Sequence, residues 1–189
     1  MMEKNQQPQT LRWVVMGVSG CGKSKVGGAL AQRLGIEHVE GDSDHPPANI
    51  AKMAAGMPLD DTDRHGWLLL LQRRINEAAN AGRGLVLSCS ALKRRYRDLL
   101  RAGDPNLFFL HLHGDRDLIA KRMQARADHF MPVTLLDSQF RDLEPLQPDE
   151  FGLRVDIGNP PDALIDQALR HLQQQQQQHE QQQTSGEEK

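Results

Sequence analysis

Residues 11–34 read LRWVVMGVSGCGKSKVGGALAQRL. An apolar run, Leu11 to Met16, leads into the glycine-rich octet GVSGCGKS, Gly17 to Ser24, and the octet leads into a stretch of helical periodicity ending at Leu34. The octet satisfies G-x-x-x-x-G-K-[ST], with Gly17, Gly22, Lys23 and Ser24 at the fixed positions. Glycines let the chain turn so that successive N–H groups converge on one anion. Val18, Ser19, Gly20 and Cys21 fill out that cradle. Lys23 sets a cation against the β and γ oxygens of a bound ATP, and the Ser24 hydroxyl is a ligand for Mg²⁺. The following helix turns its N-terminus toward the same charge. Working outward, this stretch predicts a strand, a phosphate loop and a helix.

Bulk properties narrow the function. The chain has 189 residues and a net charge of −2, with 23 Lys and Arg against 25 Asp and Glu. That balance argues against a nucleic-acid binder working by bulk electrostatics, and 4% aromatic content argues against base-stacking platforms. The polar N-terminus and the lack of a long apolar run argue against a membrane and for a cytoplasmic protein. Cys21 and Cys89 read as two thiols rather than a bridge.

Strand-like runs at Leu11–Met16, Ile36–Glu40, Gly84–Ser90, Leu107–His113 and Leu153–Ile157 alternate with helical stretches at Lys23–Leu34, Asn49–Ala55, Arg64–Ala81, Leu92–Ala102, Arg116–Ala127 and Pro161–Gln173. Such alternation predicts a five-stranded parallel sheet covered on both faces, with ligands along the edge where the strands end. The expected organisation is a flexible N-terminus (1–10), a single α/β/α domain (11–172) and a Gln-rich tail (173–189). Within the domain, about 41–80 should bind the acceptor and about 122–149 should form a mobile lid.

Glu40 and Asp42 follow the second strand. On an extended backbone they face the same way, so one could orient Mg²⁺ through water and the other accept a hydroxyl proton. Asp44 could substitute for either. Asp60 to Asp63 suit the first turn of a helix, and Arg64 beyond them is placed to grip a carboxylate. Lys93 and Arg97, one turn apart after the third strand, are further candidates for an anionic substrate. Arg122 and Arg126 stand before the lid and could close on a transferring phosphoryl group. Cys21, among converging N–H groups beside Lys23, is expected to be a reactive thiol.

Four blocks then resemble one family: GVSGCGKS, EGDSDHPPANIAKMAAGMPLDDTDRHGWL, SCSALKRRYRDLLR and HFMPVTLLDSQFRDLE look like the motifs of the small bacterial-type gluconokinases, from about Trp13 to about Leu169. Those enzymes are similar in fold to shikimate and nucleoside-monophosphate kinases. The resemblance implies transfer of the ATP γ-phosphoryl group to the 6-hydroxyl of D-gluconate with Mg²⁺, and a homodimer stays open. It implies that Asp42 activates the hydroxyl and that His45 joins the substrate-binding residues. Glu40 stands where the family usually has Asp, and Cys21 where it has Ser or another small residue. RVDIGNP, Arg154 to Pro160, resembles the segment that holds adenine. Other readings are a shikimate kinase, a nucleoside-monophosphate kinase and a nucleotide-binding switch with no acceptor. The first lacks the block at His45–Leu59, the second needs base-sandwiching residues, and the third would not depend on gluconate.

Overall fold

The computed structural model describes residues 10–125 and 133–187. β1 (Arg12–Met16) is buried along its whole length, because β3 (Leu85–Ser88) and β4 (Phe108–His113) flank it. β2 (Glu37–Glu40) lies outside β3, and β5 (Gly152–Asp156) lies outside β4. The order is β2-β3-β1-β4-β5 and every pairing is parallel.

The two-residue period of the strands divides the core. Trp13 and Val15 point to one face with Val86, Phe108 and Leu110, and pack against Val26 and Leu30 of α1 (Lys23–Leu34), Ile119 of α5 (Arg116–Gln124) and Leu164 of α7 (Pro161–Glu187). Val14 and Met16 point to the other, with Leu87 and Phe109, and meet Trp67, Leu71 and Ile75 of α3 (Asp61–Asn80) and Leu100 of α4 (Arg94–Arg101). The result is a three-layer α/β/α sandwich.

Local signals set the helix ends. α1 starts behind Gly22 and stops at Gly35, both left-handed. α3 begins with a reciprocal box in which the side chains of Asp60 and Asp63 each accept the other's backbone N–H. Ser88 ties the layers together: its Oγ donates to the Lys23 carbonyl (3.2 Å) and lies 2.9 Å from His38 Nε2 on β2.

The expected strands occur with ends shifted by two residues at most. Two features differ. A 3-10 turn (Val133–Leu135) and α6 (Leu136–Asp142) form where the sequence shows little periodicity, since seven residues are too short to display a helical pattern. α7 also runs through the glutamine stretch to Glu187, in keeping with the good helix propensity of glutamine.

Candidate active site

The phosphate loop joins β1 to α1. Gly17 has φ 143°, and a Cβ there would stand 2.5 Å from the Leu112 carbonyl oxygen, so only glycine fits. Lys23 is buried and folds back to donate to the Val18 carbonyl at 3.0 Å, which holds its charge over the loop. Ser24 is exposed on the first turn of α1.

Cys21 points the other way. Its Sγ lies 2.8 Å from where a Gly17 Cβ would stand, and the residue is 1% exposed. Burial raises its pKa, and Lys23, the nearby N–H groups and Arg122 offset this only in part. The expectation of a reactive thiolate is therefore corrected: the sulfur is packed beside Gly17, where burial outweighs the N–H groups of Cys21 and Lys23 that reach it.

The loop has an unanticipated partner. The Ser19 N–H donates to Gln139 Oε1 of α6 at 2.6 Å in a buried bond. No pattern in the sequence marked Gln139, which lies 120 residues away.

Glu40 ends β2, and Asp42 belongs to a 3-10 turn, Gly41–Asp44. The two carboxylates are therefore not the alternate positions of one strand that their spacing predicted. Among the described residues, Glu40 Oε1 is buried with no hydrogen-bond partner. An orphaned carboxylate oxygen at the end of β2 suits a cation or its water shell. Asp42 lines a cleft with Ser19, Lys23, His45, Arg64, Trp67 and Gln139. Asp44 lies outside that cleft, paired to Arg74 at 2.9 Å.

The wall facing the phosphate loop is built from side chains. Trp67 Nε1 donates to the Gly41 carbonyl at 2.7 Å, and His45 stacks on the indole with centroids 3.9 Å apart. Burial lowers the His45 pKa against the pull of Asp42. Arg64 is 7% exposed, sits 5.5 Å over the Tyr96 ring, and keeps Nη1 buried without a partner among the described residues. An unpartnered guanidinium nitrogen beside a cleft is a strong anion attractor.

The remaining cations lie elsewhere. Lys93 borders a neighbouring recess with Leu59, Arg141 and Asp142, where it pairs with Asp61 (3.2 Å) and Asp142 (3.7 Å). Arg97 is fully buried. It grips Glu150 through Nε (2.7 Å) and Nη2 (2.8 Å), and its Nη1 donates to the carbonyls of Ala91, Leu92 and Glu144. Its expected substrate role is corrected: it pins the β4–β5 side of the molecule to α4. Burial alone would raise the Glu150 pKa, but Arg97, the Gln147 N–H and Arg101 hold it at about 2. Arg122 is exposed and donates to the Ile157 carbonyl at 3.0 Å, inside the segment expected to hold adenine. Arg126 lies outside the described residues.

Known proteins resemble this chain in sequence and fold. A family described as an AAA domain matches residues 13–146. A gluconokinase from Gluconobacter oxydans is 48% identical over 160 residues, 85% of this chain and 90% of that protein. The thermosensitive gluconokinase of Escherichia coli is 46% identical over 78% of this chain and 79% of its own length. The crystal structure of a gluconokinase from Sinorhizobium meliloti superposes with a TM-score of 0.82 at 41% identity, covering 93% of this chain and 99% of that one. A phosphate loop on a five-stranded parallel sheet and identity of this extent lead to one conclusion: the chain belongs to the gluconokinase family of P-loop kinases.

Proposed function

We propose that this protein transfers the γ-phosphoryl group of ATP to the 6-hydroxyl of D-gluconate, giving 6-phospho-D-gluconate and ADP. The observation that carries this reading is the meeting of Lys23, Asp42 and Arg64 in one cleft, with a buried Arg64 nitrogen left unpaired among the described residues.

The geometry supports the following roles. The amides of Gly17–Ser24 and the Lys23 ammonium hold the β and γ phosphates. Asp42 receives the proton of the attacking hydroxyl, which is a poor nucleophile until that proton has an acceptor. Arg64 grips the carboxylate at the other end of gluconate, while His45 and Trp67 line the path between. Bound Mg²⁺, held by Ser24 and through water by Glu40, would neutralise charge on the phosphate oxygens. Arg122 and Arg126 are assigned to the phosphoryl side, where a lid spanning about 122–149 would close. We assign the enzyme to the cytoplasm, supported by the lack, among the described residues, of any helix long and apolar enough to cross a membrane.

A coupled ATP-consumption assay over a panel of sugar acids, shikimate and nucleoside monophosphates tests this. Gluconate should be turned over fastest, and only with Mg²⁺. Faster turnover of shikimate or a nucleotide would overturn the reading, and ATP hydrolysis indifferent to gluconate would favour a nucleotide switch.

A further inference from the structure

His45 precedes α2 (Pro47–Ala54), and Asn49 lies on that helix's first turn, with both side chains buried. Asn49 Nδ2 donates to the Asp63 carbonyl at 2.8 Å, a group that only accepts. The amide nitrogen, not its oxygen, must therefore point inward. The same nitrogen lies 3.4 Å from His45 Nδ1. A ring nitrogen facing a donor keeps its lone pair, so the imidazole proton belongs on Nε2. That nitrogen faces Asp42, 4.0 Å from Oδ1. Two anchored contacts hold the ring in this pose: the stack on Trp67, and the bond from Trp67 to the Gly41 carbonyl beside Asp42.

The gap between Nε2 and Oδ1 is too long for a direct hydrogen bond and suits an oxygen atom touching both groups. If Nε2 carries a hydrogen, that oxygen can only accept from His45. Its own hydrogen then has one acceptor at hand, the Asp42 carboxylate. In the opposite tautomer Nε2 would be a second acceptor competing for the same proton.

We propose that Asn49 is a positioning residue that locks His45 in the Nε2–H tautomer and so directs the proton of the acceptor hydroxyl to Asp42. The inference rests on the reading of Asp42 as proton acceptor. In the transfer, the hydroxyl oxygen bonds to the γ phosphorus and the bond from that phosphorus to the β–γ bridging oxygen breaks. ADP leaves and the hydroxyl proton passes to Asp42. His45 donates a hydrogen bond throughout and neither gains nor loses a proton.

The test begins with the ligand-free full chain labelled with ¹⁵N in its histidine rings. Nitrogen shifts separate the two tautomers, and His45→Gln assigns the His45 signals among the eight histidines. Wild-type His45 should carry its proton on Nε2. Asn49→Asp, similar in size but an acceptor when ionised, should move that proton to Nδ1. The kcat should then fall about 10- to 100-fold, as when a partner that fixes a histidine tautomer is removed elsewhere, with KM for ATP held. Asn49→Ala, which removes the donor and supplies no acceptor, should give mixed tautomers and a smaller loss. An Nδ1–H tautomer in the wild type would overturn the proposal, and so would a tautomer moved with kcat retained. Should either variant fail to fold, the wild-type spectrum still decides. Asp42→Asn with normal kcat would instead sink the reading of Asp42, whatever tautomer the spectrum shows.

Discussion

The two sides of the cleft are made of different material. The nucleotide side is backbone: three glycines with positive φ, Gly17, Gly20 and Gly22, fold eight consecutive residues into a cradle, and side chains add little beyond Lys23. The proposed acceptor side is side chain, and several of its groups are fixed by partners well away in sequence. Asn49 and Lys52 bind Asp63, 14 and 11 residues on, and Trp67 binds Gly41, 26 residues back. A backbone cradle accepts any phosphate of the right shape. A wall of side chains is where one acceptor is told from another, because its buried polar groups penalise a ligand that leaves them unpaired.

Substitutions on the two sides should therefore fail differently. The largest effect is expected at Asp42→Asn, which removes the proposed proton acceptor: kcat should fall about 10²- to 10⁴-fold with ATP binding nearly intact, read by steady-state kinetics and nucleotide titration. Lys23→Ala should lower kcat about 10²- to 10³-fold, because its charge acts on oxygens whose charge shifts in the transition state. A near-normal kcat in that variant would break the comparison at once.

Arg97→Ala belongs to neither side. It leaves the buried Glu150 carboxylate with only Arg101 and the Gln147 N–H as close partners and should cost about 3 kcal/mol of stability, read by denaturant unfolding, with KM for gluconate unchanged in the folded fraction. The same pair sets an acid limit. Glu150 is held at about 2, below its ordinary 4.5, so its contribution is fully present above about pH 4.5 and is lost as the pH falls toward 2.

Arg64→Ala should raise KM for gluconate about 10- to 100-fold with a smaller change in kcat. The carboxylate is remote from the reacting oxygen and is held alike in ground and transition states. An unchanged KM would move the anion grip elsewhere. The smallest effect should come from thiol reagents: native Cys21 should label slowly near pH 8, with activity retained. Rapid labelling blocked by ATP would restore the reactive-thiol reading.

What the sequence disclosed follows the same division. The phosphate loop, the buried strands and the start of α1 are encoded within a few neighbouring residues, so they could be read directly. Asp42 could be picked out from its position beyond a strand end and Arg64 from the acidic turn before it, His45 came with the family resemblance, and the structure brings all three to one cleft. Arg97 was misread because its surroundings in SCSALKRRYRDLLR resemble a solvated basic helix; Glu150, 53 residues away, makes it an interior residue. Gln139 was missed for the same reason, since only the folded chain carries α6 to the phosphate loop. The strand-like spacing of Glu40 and Asp42 misled because the chain tightens into a 3-10 turn between them.

The strand order has a mechanical corollary. The proposed chemistry needs the end of β2, with Glu40 and the turn carrying Asp42, at a set offset from the end of β1, where the phosphate loop begins. Between them runs β3, and no residue of Leu85–Ser88 is among the residues lining the cleft. Two interstrand spacings of about 4.8 Å therefore gauge the separation of donor from acceptor. Ser88, clasped to His38 on one side and to the Lys23 carbonyl on the other, pins that gauge at its working end. β3 is in this sense a shim: it lines no part of the cleft, and its thickness sets how far apart the ends of β1 and β2 stand.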